Sequence, residues 1–126
     1  MTAPGDRHSL LDVDLTIRLT ESPGAPERTF RLEARDGAPT AASTLPDPDA
    51  ALESVQRHGE AIFFPVPGPP KICTQQYGGP QVAVVTGRFL GREVHSRFSR
   101  TDGCELARWR AMAPLLGGVA GSTGAI

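Results

Sequence analysis

The sequence predicts an α+β fold, an antiparallel sheet of about five strands with two short helices packed on it. Three observations carry that reading. Apolar and polar residues alternate strictly from Leu11 to Thr20, the period of a strand with one buried face. Two later segments carry apolar residues at helical spacing, each opening at an aspartate, Asp47 and Asp102. Fourteen glycines and twelve prolines supply the turns between short elements.

The 126 residues allow one domain with a modest core. Residues 1–9 are expected to be a flexible arm, 10–116 the α+β domain and 117–126 a disordered tail. In the first strand Leu11, Val13, Leu15, Ile17 and Leu19 point inward, with Asp12, Asp14, Thr16, Arg18 and Thr20 between them. Ser22-Pro23-Gly24-Ala25-Pro26 breaks the pattern as a turn. Residues 28–35 alternate again, with Phe30, Leu32 and Ala34 inward, so the two runs can pair as an antiparallel hairpin. Residues 36–46 are small and polar and read as a surface loop.

Asp47 can cap a helix, and Pro48 sits where its missing N–H is harmless. Ala51, Leu52 and Val55 form the stripe. Arg57 and His58 suit the negative end of the helix dipole, and Gly59 suits a left-handed stop. Residues 61–64 read as a brief strand or a packed connector. Pro65-Val66-Pro67-Gly68-Pro69-Pro70 should be extended and stiff.

Lys71-Ile72-Cys73-Thr74-Gln75-Gln76-Tyr77-Gly78-Gly79-Pro80 is a polar, turn-rich loop. Residues 81–88 form a strand with Val82 and Val84 on one face, and Phe89-Leu90-Gly91-Arg92 makes the turn. Residues 93–100 return with Val94, Ser96 and Phe98 on one side. Asp102-Gly103-Cys104-Glu105 reads as a capping box. Leu106, Trp109, Met112 and Ala113 give the second stripe, ended by Pro114.

Several function classes are disfavoured. A net charge of −1 with interspersed signs gives no case for nucleic acid or an anionic membrane surface. No apolar run approaches the roughly 20 residues of a membrane span. The N-terminal residues lack a secretory pattern, which leaves a cytoplasmic chain or a mature form open. His8, His58 and His95 share no ligand spacing, so neither a metal nor a cofactor is expected. His95 and Ser99 fall two pleats apart on one strand, with Asp102 beyond, and no nucleophile elbow is present, which argues against an enzyme. Arg88, Arg92, Arg97, Arg100, Arg108 and Arg110 read as a solvated sheet face. Gly78-Gly79, with no helix following, is a turn rather than a phosphate cradle. Cys73 and Cys104 are either a disulfide or two reduced core cysteines.

Several segments, in order, resemble the Streptomyces subtilisin inhibitor family. They are Ala25-Pro26-Glu27-Arg28, Pro46-Asp47-Pro48-Asp49-Ala50-Ala51, Cys73-Thr74-Gln75-Gln76-Tyr77-Gly78-Gly79-Pro80, Thr86-Gly87-Arg88-Phe89-Leu90-Gly91-Arg92-Glu93-Val94, and the closing stretch from Phe98 through Cys104-Glu105-Leu106. The resemblance implies a subtilisin-inhibitor-like sandwich, secreted, homodimeric through its sheet and inhibitory toward subtilisin-like serine proteases. It implies a Cys73–Cys104 disulfide and a protease-binding loop of Ile72, Cys73, Thr74, Gln75, Gln76 and Tyr77. Its P1 residue, two after the loop cysteine, is Gln75, so the reactive bond is Gln75–Gln76. Ile72 then stands at P4, Cys73 at P3, Thr74 at P2 and Tyr77 at P2′. The family's second disulfide falls where this chain has Ala34 and Leu52. Gly78-Gly79 makes the loop one residue longer than the family pattern and is expected to loosen its primed side. Two other readings go with the same loop: a non-inhibitory protein-binding module, and a transglutaminase substrate through Gln75 and Gln76.

Overall fold

The computed structural model describes residues 12–69 and 71–117. The arm expected at 1–9, the tail beyond Gly117, His8, Leu11 and Pro70 lie outside the described residues. Five strands form one sheet: β1 (Val13–Thr20), β2 (Glu27–Arg35), β3 (Ala38–Pro39), β4 (Val82–Phe89) and β5 (Arg92–Phe98). Their order is β3-β2-β1-β4-β5, and each neighbouring pair is antiparallel. Two helices, α1 (Pro48–Phe63) and α2 (Gly103–Ala111), complete the α+β fold.

One face of the sheet is the core. The alternation in β1 places Val13, Leu15, Ile17 and Leu19 inward, opposite Ala34, Leu32, Phe30 and Arg28 of β2. Ala83, Val85, Val94 and Phe98 extend this buried face across β4 and β5. Ala51, Leu52, Val55 and Phe63 of α1 and Trp109 of α2 close over it. Ala34 and Leu52 are both buried in this cluster, so apolar packing occupies the two places where the family resemblance would put a disulfide. On the outer face Arg31 sits between Asp14 and Glu33, at 3.1 and 2.9 Å.

Several elements depart from the sequence reading, each for a local reason. Helix α1 opens where expected, with Asp47 accepting from the Ala50 N–H at 3.2 Å, but it does not stop at Gly59. That glycine is buried inside the helix, and a Cβ there would stand 3.1 Å from the Phe89 ring. The stripe runs on to Phe63, whose ring meets Phe89 edge to face at 6.0 Å. Arg92 of β5 adds a bond to Glu60 at 3.0 Å and lies 3.7 Å over the Phe64 ring. Tertiary packing therefore carries the helix through its glycine, and Pro65 ends it by disfavouring helical backbone at Phe64. Residues 61–63 are thus helix rather than strand or connector.

The fifth strand lies instead in the expected loop at 36–46. Asp36 and Gly37 both have positive φ, 56° and 79°, as a two-residue hairpin turn requires. They fold Ala38–Pro39 back on Ala34 and Arg35. The rest of that loop is also tied down. The Ser43 and Thr44 hydroxyls accept the N–H groups of Glu33 and Arg31 at 3.0 and 2.8 Å, and Leu45 is buried.

In β4 the core face is Ala83 and Val85, while Val82 and Val84 lie half-buried on the other side. After α2 the chain makes further turns that bury Met112, Leu115 and Leu116. Gly117, placed in the tail by the sequence reading, is half-buried beside Phe30.

Because Gly59 packs directly on Phe89, Gly59→Leu should overfill this seam. Its urea unfolding free energy should fall by about 1–3 kcal/mol, even though leucine is the better helix former.

Candidate functional site

Residues 71–79 contain no helix or strand. Among the described residues the exposed large apolar side chains are Val66, Ile72, Tyr77 and Leu90, so three of these four belong to the 65–77 stretch. Ile72 is fully exposed, and Thr74, Gln75, Gln76 and Tyr77 are all open to solvent. A segment with no ladder of its own should be loose, but this one is fastened at both sides.

Cys73 is disulfide-bonded to Cys104 in the first turn of α2, with the two Cα atoms 5.3 Å apart. One residue on, the Thr74 carbonyl accepts the Gly103 N–H at 2.9 Å. At the far side the Gly78 N–H donates to the Arg100 carbonyl at 2.7 Å. Among the described residues no backbone bond holds Gln75, Gln76 or Tyr77. Three free residues therefore span two fixed points. Inside this span the Thr74 hydroxyl donates to Gln76 Oε1 at 3.0 Å.

The primed side, expected to be loosened, carries contacts at both of its glycines. Gly78 lies against the Leu106 side chain so closely that a Cβ would collide with it. Gly79 has a φ of 141°, which residues with a Cβ rarely adopt, and it packs on the Gln81 side chain. Gly78 lets the chain approach Leu106 of α2 and bond to the Arg100 carbonyl just before that helix.

The platform under the loop is itself braced. Asp102 caps α2 by accepting the Glu105 N–H at 2.9 Å. The Glu105 side chain does not complete a reciprocal box; it accepts Arg108 at 2.9 Å. Arg108 also donates to the Arg97 carbonyl at 3.0 Å and lies 4.4 Å over the Phe98 ring, fixing α2 to β5. The arginines are therefore not one solvated face. Arg88 and Arg97 are exposed, but Arg100 is only 9 % exposed, with its guanidinium 5.7 Å from the Trp109 ring. Arg100 Nε and Gln81 Oε1, both buried near the base of the loop, have no hydrogen-bond partner among the described residues. Arg100 continues the Val94, Ser96, Phe98 alternation of the run expected at 93–100, although it lies past the end of β5.

Other candidates separate. His95 is exposed on β5, whereas the buried Ser99 hydroxyl lies 3.2 Å from that of Thr101. Cys73, Asp102 and Cys104 converge within 4.8 Å, but both sulfurs are spent in the disulfide, and the Asp102 carboxylate caps the helix. Among the described residues no helix is long and apolar enough to cross a membrane.

No protein-family model and no curated protein matches this chain.

The disulfide closes a separation of 31 residues. Replacing both cysteines by alanine should lower unfolding stability by about 3–4 kcal/mol in the chain-entropy model. The same variant should be cut by a broad-specificity protease within residues 74–77 well before any other described segment, as mass spectrometry of the fragments would reveal.

Proposed function

We propose that this protein is a reversible, substrate-like inhibitor of subtilisin-like serine proteases, offering the Gln75–Gln76 bond, and a member of the Streptomyces subtilisin inhibitor family. The observation that carries this reading is the fastening of an exposed stretch, free of helix and strand, on both sides of that bond. An extended segment can add a strand to a protease cleft, where main-chain hydrogen bonds supply affinity and side chains supply choice. Holding it in shape beforehand removes much of the ordering cost of binding.

The roles follow from position. Ile72 offers its whole side chain to an apolar S4 pocket. Gln75 enters S1, a polar occupant that fills a permissive apolar pocket less well than leucine. Tyr77 contacts the primed side. The enzyme's serine oxygen attacks the Gln75 carbonyl carbon, the bond to the Gln76 nitrogen breaks, and the serine proton passes to the departing amine. That amine stays tethered through Gly78 to Arg100, and the acyl group stays tethered through Cys73 to Cys104. The reverse step, in which the Gln76 amine attacks the ester and the proton returns to the serine oxygen, then runs at a high effective concentration. Water competes poorly, so the loop persists intact. Pairing of two copies through the open sheet face and a secreted location belong to the same proposal.

Titrating subtilisin activity with the purified protein tests it. Inhibition below micromolar protein, with only slow cleavage at Gln75–Gln76, is the expected result. An unaffected enzyme at micromolar protein, or rapid turnover of the loop, would overturn it. Gln75→Leu should tighten inhibition by about tenfold, the scale of one better-buried apolar side chain in a specificity pocket.

A further inference from the structure

We infer that Thr74, Gln76 and Gly103 form a side-chain latch across the Gln75–Gln76 bond, which sets how slowly that bond is lost to hydrolysis. This rests on the reading of Gln75–Gln76 as the bond offered to the protease.

The latch is the hydrogen bond from Thr74 Oγ1 to Gln76 Oε1, 3.0 Å long, which reaches over Gln75. Both residues are exposed, and an exposed pair of polar side chains ordinarily holds one geometry weakly. Here the pair has a seat. Gly103, at the first position of α2, presents no side chain beneath it. A Cβ there would collide with Thr74 Oγ1 and stand 3.3 Å from Gln76 Oε1. The Gly103 N–H meanwhile holds the Thr74 carbonyl at 2.9 Å. The hydroxyl, the amide oxygen and the helix start therefore occupy one small space that only glycine leaves open.

Two consequences separate the adjacent glutamines. The Gln76 side chain is turned in toward Gly103, while among the described residues Gln75 makes no side-chain contact of this kind. Gln75 is thus the side chain free to enter a pocket, and Gln76 is a positioning residue. The latch also joins the two sides of the bond directly. When the Gln75–Gln76 link is open, the amine-bearing residue remains bonded through its own side chain to Thr74 on the acyl side. The disulfide and the Gly78 anchor act at longer range; the latch acts across a single residue.

The test uses the full chain with Thr74→Val, which keeps the shape and removes the hydroxyl, and Gln76→Met, which removes the acceptor. Thr74→Ser and Gln76→Glu restore donor and acceptor. Hydrolysis at Gln75–Gln76 by subtilisin should become about tenfold faster in the first two variants, the effect of one net hydrogen bond, and return toward the starting rate in the second two. The inhibition constant should move less than the cleavage rate. Gly103→Ala should also speed cleavage, because its Cβ would collide with Thr74 Oγ1 and displace the latch. Wild-type cleavage rates in both Thr74→Val and Gln76→Met would overturn the latch, as would an equal rise in Thr74→Ser.

Backbone 15N relaxation at Gln75 and Gln76, recorded without protease, judges the latch separately. Greater mobility there in Thr74→Val but not in Thr74→Ser upholds it, and unchanged mobility overturns it. If the wild-type protein neither inhibits subtilisin nor is cut at Gln75–Gln76, the inhibitor reading fails, and relaxation alone decides the latch.

Discussion

A covalent bond between Cys73 and Cys104 fixes a stretch that has no hydrogen-bond ladder of its own to the first turn of a helix. Ordering a residue's backbone costs about 1–2 kcal/mol. The stretch from Thr74 to Tyr77 buries little in return, since all four residues are exposed. Its shape must be maintained from outside, by the disulfide, by the Gly103 bond to Thr74 and by the Gly78 bond to Arg100. Each of these contacts ends on α2 or on the link that leads into it.

The tether is only as firm as what it is tied to. Helix α2 is short, nine residues, and isolated helices of that length are marginal in water. Its N-terminus is capped by Asp102, Trp109 enters the core, and Arg108 bonds the end of β5 while lying over Phe98. The regular sheet thus supports the helix, and the helix supports the irregular segment. Strict alternation in β1 matters to a loop far along the chain because β1 is the centre of that sheet.

Much of this was legible in the residues. The period of two in β1 and β2, the caps at Asp47 and Asp102 and the Leu90-Gly91 hairpin are local signals that tertiary structure left intact. The loop was legible by composition, and its disulfide by resemblance rather than by spacing. The end of α1 was not, because Gly59 carries opposite meanings at a helix end and against a ring, and only Phe89 decides between them. Asp36-Gly37 carried a strong hairpin signal that the small polar residues after it obscured. The burial of Leu115 and Leu116 was hidden because these residues lie outside any regular element. At the site itself the sequence showed two flexible glycines, whereas Gly78 is held by contacts to Leu106 and Arg100 from distant segments.

The order of the strands also bears on how this protein avoids unwanted company. A sheet edge is a row of unpaired main-chain groups that can template aggregation. One edge here, β3, is two residues long and ends at Pro39, which has no N–H to offer. The other, β5, turns Glu93, His95 and Arg97 outward along its length. Both borders thus discourage edge-to-edge strand pairing between molecules. On the reading of Gln75–Gln76 as the bond offered to a protease, the main chain open to a foreign strand is the tethered stretch, which lies apart from both blunted borders.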